Sequence, residues 1–408
     1  MQTKVLLLSG WFAHFSFGSS MASDMEFYVE KLRDHPEVQQ FFVQKDLFDE
    51  LSVAELALPD PQFYIGTDNM FFDDPEYKRL LSPTRSIGFV QNVPSIFLRK
   101  AESSEKKILS KHRELSGHYM LKRLKARFVS QVAKYEKIKT LEDLAKQQLI
   151  YYDLMESELK GQLASGMPVY ALFFEVDVDR MEVEQRLNKL EYEMFSTEEE
   201  LKWLVGEVPQ IESLKNSDLY WDQTETSLLP IKIAEEILKL KFNDLEIVEA
   251  SYFPDFRIQA TYKTRQFEQK SIDNDWFNIQ ASVSIPIWYK KNQEPRIRAA
   301  RYDKRKATLI YERTCRDWLK QMSVLQANYQ NVTEDIQILR EKKASRKEVI
   351  ETANRSYEAG LISLTSVLIA QIDELSIESQ IQTKLSIQTS LSAEFNSHLI
   401  GEPTDEIN

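Results

Sequence analysis

The chain contains itself twice. Pro61 and Pro254 each precede a segment of alternating apolar and polar residues, and Val93-Pro94 and Ile285-Pro286 each end a second such segment. Ser165-Gly166-Met167 and Ala359-Gly360-Leu361 each interrupt a long helical pattern. Leu204-Val205-Gly206-Glu207 and Leu399-Ile400-Gly401-Glu402 each close a helix. The four pairs occur in the same order, at offsets of 193, 192, 194 and 195 residues. A recurring period of this kind marks a repeated supersecondary unit. Each unit reads helix, strand, strand, long helix, turn, helix. The expected organisation is a first repeat over 23–210, with a hairpin at about 61–94 and a tip near 166. A second repeat spans 211–402, with a hairpin at about 254–287 and a tip near 360, and 403–408 form a tail.

Residues 1–22 read as a signal peptide. Lys4 precedes the apolar stretch Val5-Leu6-Leu7-Leu8 and Trp11-Phe12-Ala13, and Ser20-Met21-Ala22 fits the small-x-small cleavage rule, with the cut after Ala22. The alternative is a short apolar N-terminal helix. No later run of 18 apolar residues would make a spanning helix. The expected locations are therefore the periplasm, the exterior or the outer membrane.

The second hairpin carries the clearer strand pattern. Phe256, Ile258, Ala260 and Tyr262 alternate with Arg257, Gln259, Thr261 and Lys263. Phe277, Ile279, Ala281, Val283, Ile285 and Ile287 alternate with Asn278, Gln280, Ser282 and Ser284. Runs of about 9–11 residues match a tilted strand crossing a bilayer. Aromatic residues bracket them: Tyr252, Phe253, Trp288 and Tyr289 at one end, Phe267 and Trp276 at the other. The first hairpin carries Phe63, Ile65 and Thr67, then Ile87, Phe89 and Val93, around a polar loop Asp73-Asp74-Pro75-Glu76. A soluble hairpin with one face on a core fits the alternation equally well. Four strands cannot close a transmembrane barrel, because the smallest have about eight. Open edges cannot lie in lipid. A spanning sheet thus requires several chains, and three would supply twelve strands.

The helices are too long for a globular core. No proline interrupts residues 95–163, and neither proline nor glycine interrupts 296–358. At 1.5 Å per residue, about 65 residues make a helix of about 100 Å, which needs a coiled coil or a tube for support. Leu361, Leu364, Leu368, Ile372 and Leu375 supply an apolar seam at spacings 3, 4, 4 and 3. Gly166 and Gly360 stand where a helix reversal needs positive φ. The tips are either plain helix hairpins or, with Met167, Val169, Leu361 and Ile362, exposed apolar docking points. The chain has 10 glycines in 408 residues, against roughly 29 at average usage of about 7%, which favours long uninterrupted elements.

Composition removes other functions. A net charge of −12 weighs against nucleic acid. Cys315 is the sole cysteine, so no intrachain disulfide and no cysteine metal cluster can form. His14, His35, His112, His118 and His398 are scattered, and no HExxH, GxSxG, P-loop or GxGxxG pattern occurs. No catalytic residue, cofactor or metal site is expected.

The residues that recur resemble the TolC family of outer-membrane efflux proteins. The segments that carry the resemblance are Leu58-Pro59-Asp60-Pro61-Gln62-Phe63, Val90-Gln91-Asn92-Val93-Pro94, Tyr252-Phe253-Pro254-Asp255-Phe256 and Val283-Ser284-Ile285-Pro286-Ile287-Trp288. Tyr357-Glu358-Ala359-Gly360-Leu361-Ile362-Ser363 and Leu399-Ile400-Gly401-Glu402 complete it, over residues 25 to 402 or so. The resemblance implies a homotrimer with a twelve-stranded barrel in outer-membrane lipid and an α-helical barrel in the periplasm. It implies a passive exit duct for small molecules, drugs or metal cations, engaged with a periplasmic adaptor and an inner-membrane pump. It places adaptor contacts on the tips, at Gly166, Met167, Pro168, Val169, Gly360, Leu361, Ile362 and Ser363. It places the periplasmic gate just after Gly360. In the best-known member of the family that stretch carries acidic rings facing the pore. Here the corresponding residues are Ser366 and Ile369, with Asp373 and Glu374 a turn further on. A competing function of another class is a secreted soluble coiled-coil scaffold.

Overall fold

The computed structural model describes residues 22–68, 84–209, 219–265 and 275–401. The expected signal peptide up to residue 21, the Asp73–Glu76 loop, Phe267 and the tail lie outside the described residues.

Helices α1 (Ala22–Arg33) and α2 (Pro36–Ala54) open the first repeat. They separate at Asp34-His35 because Pro36 cannot donate a backbone hydrogen bond to the preceding turn, yet suits the first position of a new helix. His35 Nδ1 accepts from the Glu37 amide at 3.3 Å and caps α2. Strands β1 (Gln62–Asp68) and β2 (Thr84–Val93) follow, then α3 (Ile96–Ala164) and α4 (Tyr170–Val205). The second repeat begins with a 3-10 turn at Glu225–Ser227. It continues with α5 (Leu229–Ala250), β3 (Phe256–Arg265), β4 (Asp275–Val283), α6 (Gln293–Glu358) and α7 (Leu364–Ser397). Helix α3 has 69 residues and α6 has 66; each is about 100 Å long at 1.5 Å per residue. In each half two strands are followed by a long helix and a shorter one.

The strands form one antiparallel sheet in chain order, β1-β2-β3-β4, so β1 and β4 are open edges. The apolar set shares one face: Phe63 lies opposite Phe89, Ile65 opposite Ile87, Ile258 opposite Ala281, Ala260 opposite Ile279 and Tyr262 opposite Phe277. The register between β2 and β3 sets Phe89 against Ala260 and Ile87 against Tyr262, which joins the two hairpins into one surface. Strand β4 stops at Val283, short of the expected Ile287. Its partner β3 begins only at Phe256, after Pro254, and Pro286 has no amide to donate. Trp276 is not a bracket beyond the strand: it sits within β4 opposite Lys263, on the polar face.

Near the sheet the helices lie in the order α2-α3-α5-α6; toward the turns the order is α4-α3-α7-α6. The protomer is thus an open curtain of helices with no closed interior. Its apolar cores are seams. Leu32, Val38, Phe128 and Leu201 join α1, α2, α3 and α4. Met155, Leu159, Val176, Val183 and Leu368 join α3, α4 and α7. Leu228, Ile231, Met322 and Phe395 join α5, α6 and α7. The expected α7 seam is present through Leu364, Leu368 and Ile372, whereas Leu361 stands outside it and is exposed.

His398 ends α7 inside the last seam. Its Nδ1 is 2.8 Å from the Tyr119 hydroxyl, and the Trp318 ring packs 4.9 Å away. Burial, helped by the nearby Arg123 guanidinium, holds its pKa down to about 4. In the unfolded chain the imidazole binds a proton below its ordinary value of about 6.5. The unfolded state therefore gains protons first as pH falls, and stability is lost between about pH 6.5 and 4. At about 1.4 kcal/mol per pKa unit the loss is bounded by about 3 kcal/mol. A urea midpoint that falls from pH 7.5 to pH 4.5, and falls less in His398→Gln, is the expected result.

Candidate functional site

Three surfaces could carry function: the apolar sheet face, its junction with the helices, and the far turns.

The apolar sheet face is uncovered. Ile65, Phe63, Ile279 and Phe277 are 85, 79, 65 and 63% exposed, and none of the described helices lies over them. The opposite face is polar and internally bonded. The Tyr64 ring crosses Gly88, where a Cβ would come within 2.7 Å of it, and its hydroxyl bonds to Thr261. Gln259 Nε2 donates to the same Tyr64 hydroxyl at 2.9 Å, and Lys263 pairs with Asp68 at 2.7 Å. A sheet with hydrogen bonds on one face and bare hydrocarbon on the other suits a barrel wall between water and lipid.

All four strand–helix junctions lie at one end of the sheet. Ser95 caps α3 by accepting from the Phe97 amide at 3.2 Å, while its own amide donates to Asp255 Oδ1 at 2.9 Å. That bond ties the start of α3 to the start of β3. Phe97 stacks on Phe253 at 4.0 Å, and Tyr252 packs against Tyr289 at 6.4 Å. With exposed Trp288 these make an aromatic band at the expected position.

The two turns share the other end of the molecule. Thr365 Oγ1, just after the second turn, donates to Glu158 Oε2, just before the first, at 2.9 Å. Gly166 and Gly360 have φ of 84° and 71°. Met167 N bonds to Gln162 O and Gly166 N to Leu163 O; Leu361 N bonds to Ser356 O and Gly360 N to Tyr357 O. Both are the paired closure that a left-handed residue after a helix permits. Met167, Pro168, Leu361 and Ser363 are exposed, and Val169 and Ile362 are half-buried. Ser363 caps α7 by accepting from the Ser366 amide at 3.3 Å, whereas Val169 gives α4 no side-chain cap.

Beyond the second turn, Thr365, Val367, Leu368 and Ala370 are buried, which leaves Ser366 and Ile369 exposed. Asp373 pairs with Arg346 of α6 at 3.2 Å, and Glu374 is half-buried beside it. Sequence reasoning passed over one surface. Tyr170, Phe174, Val178 and Met181 line α4 and are all exposed. Their spacing of 4, 4 and 3 is the signal that marks them.

No helix is long and apolar enough to cross a membrane among the described residues. Three or more metal-ligating side chains nowhere converge among them. The sequence pattern described as "Outer membrane efflux protein" matches residues 231–393, within the second repeat. No curated protein matches. Solved structures match over nearly the whole chain. The outer membrane protein VceC of Vibrio cholerae has a TM-score of 0.73 at 14% identity, covering 91% of this chain and 95% of its own. The CmeC outer membrane channel of Campylobacter jejuni has 0.75 at 10%, covering 97% and 93%. CusC, described in terms of transmembrane channel formation, has 0.76 at 14%, covering 91% of each. The second repeat thus carries the sequence pattern of the outer membrane efflux proteins, and the chain along its length has the fold of the outer-membrane channels.

Proposed function

We propose that the chain is one protomer of a trimeric outer-membrane exit duct, a passive conduit for small molecules, drugs or metal cations delivered by an inner-membrane pump through a periplasmic adaptor. The observation that carries this is the four-stranded sheet with a bare apolar face and two open edges. Such edges cannot lie in lipid unpaired, and three copies complete twelve strands. The helical curtain then closes into a tube beneath the barrel. A scaffold function leaves the bare face without a purpose. Fractionation followed by sizing in detergent tests the proposal. A carbonate-resistant trimer in the outer membrane supports it, and a soluble monomer overturns it.

The exposed turns at Gly166–Val169 and Gly360–Ser363 are the adaptor contacts in this scheme. Ser366, Ile369, Asp373 and Glu374 lie at the periplasmic gate, where the Asp373–Arg346 pair neutralises charge that would otherwise face the pore. Gly360→Val tests the turn. A Cβ there meets nothing within 4 Å, so the cost is backbone strain, roughly 1–2 kcal/mol in the left-handed region. The expected result is an intact trimer with weakened adaptor cross-linking and reduced export. Wild-type export by this variant removes the tip assignment.

A further inference from the structure

The polar face of the sheet is uncharged along its middle. The register sets its residues in rows across the strands. Thr261 lies between Gly88 and Asn278, and one row nearer the helices Gln259 lies between Val90 and Gln280. The Tyr64 hydroxyl ties the two rows together, accepting from Gln259 at 2.9 Å and bonding to Thr261. One row away from the helices, Lys263 lies opposite Ser86 and pairs with Asp68 at 2.7 Å, so this cation is offset.

Arg257 is not offset. It stands on the same face in the last row before the helices, opposite Asn92 and Ser282, and it is exposed. An amide and a hydroxyl cannot cancel its charge, and among the described residues it has no ion-pair partner. Asp255, two residues earlier, turns its carboxylate to the start of α3, where Oδ1 accepts from the Ser95 amide at 2.9 Å. A guanidinium keeps its proton at every working pH, so the charge is permanent. Arg85, by contrast, falls on the apolar face, opposite Thr67 and Thr264 at the far end of the sheet.

We propose that the Arg257 side chains of three copies form a ring of cations at the helix end of the barrel lumen, and that the duct thereby favours anionic cargo, small organic molecules bearing carboxylate or similar groups, over cations. This rests on the trimeric duct and narrows its cargo. In that duct the polar face lines the lumen, and the symmetry of a closed trimer sets the three Arg257 at one height. A charged wall backed by low-dielectric material focuses its field along the passage and enriches ions of the opposite sign. Rings of Arg or Lys line anion pores, and rings of Asp or Glu line cation pores. The proposed gate adds little of the opposite sign: Ser366 and Ile369 are uncharged, Asp373 pairs with Arg346 at 3.2 Å, and Glu374 is half-buried. Of the cargoes open to the duct, metal cations are the ones this ring disfavours.

The test is the reversal potential of the purified full-length protein in planar lipid bilayers under a potassium chloride gradient. Salt is kept low, because the Debye length is about 30 Å at 0.01 M and the ring is then little screened. Arg257→Gln is expected to lower the chloride-to-potassium permeability ratio by about threefold, below the enrichment of about tenfold or more that a focused charged cleft can reach. Arg257→Lys keeps the charge and is expected to hold the wild-type ratio. Asp68→Asn releases Lys263 from its partner and is expected to raise the ratio, while Arg85→Gln, on the other face, is expected to leave it unchanged. A conducting Arg257→Gln trimer with the wild-type ratio, or an equal fall in Arg257→Lys, overturns the ring and leaves the duct in place. A fall in Arg85→Gln without one in Arg257→Gln also overturns it, because the other face would then line the lumen. If Arg257→Gln does not assemble, an unchanged ratio in Asp68→Asn overturns the charged lumen by itself. Wild-type protein that sizes as a soluble monomer, or trimers that never conduct, overturn the duct as well.

Discussion

Ile279→Arg is expected to stop the protein from accumulating as an outer-membrane trimer, while Gln280→Arg, the next residue, is expected to be tolerated. Ile279 lies mid-strand on the bare apolar face, opposite Ala260. Gln280 lies on the other face, opposite Gln259. In a barrel, lipid-facing and lumen-facing residues alternate, and an arginine at the bilayer midplane costs about 2–4 kcal/mol on the lipid face. In a trimer the substitution enters three times. The face that carries Gln280 is polar and already holds Lys263 with Asp68. The check is the amount of carbonate-resistant trimer for each variant. Equal levels for both, the outcome for a solvent-exposed sheet, remove the membrane assignment.

Phe128→Ala is expected to destabilise the fold by about 3–5 kcal/mol, the range for truncating a fully buried phenylalanine. Phe128 is wholly buried in the seam of Leu32, Val38, Val132 and Leu201, with the Tyr28 ring 5.5 Å away. This seam joins α1 and α2 to α3 and α4, so little can collapse into the space without separating helices. Val53→Ala on the exposed side of α2 is expected to stay within about 0.5 kcal/mol. Urea unfolding of the detergent-solubilised protein, followed by the helical signal, measures both. A loss under about 1 kcal/mol for Phe128→Ala would mean that the seam is not formed as described.

The fold was legible wherever the signal was local. The alternation in β3 and β4 is a property of ten consecutive residues, and the glycine turns are set by one residue each. The candidate surfaces were less legible. Exposure at the turns followed from Met167 and Leu361 standing beside a reversal. The pairing of Asp373 with Arg346 did not follow, because the partners sit on different helices. Ile285 and Ile287 continue the alternation of β4 in sequence, yet the strand ends at Val283 because the backbone that would pair with them belongs to the Pro254 turn.

By itself the sequence determined the duplication, the two-faced strands, the lengths of α3 and α6 and the positions of the reversals. Each follows from periodicity, proline placement or positive φ within a short window. Only the tertiary structure decided which helices are neighbours, that β1 and β4 are left as edges, and that His398 is buried beside Tyr119. Above all it decided that equivalent positions of the two repeats, such as Met155 and, 194 residues on, Val349, have opposite exposures. Similar local patterns meet different neighbours, because what covers a helix face depends on segments far away in the chain, and the far side of α6 is covered by none of the described residues.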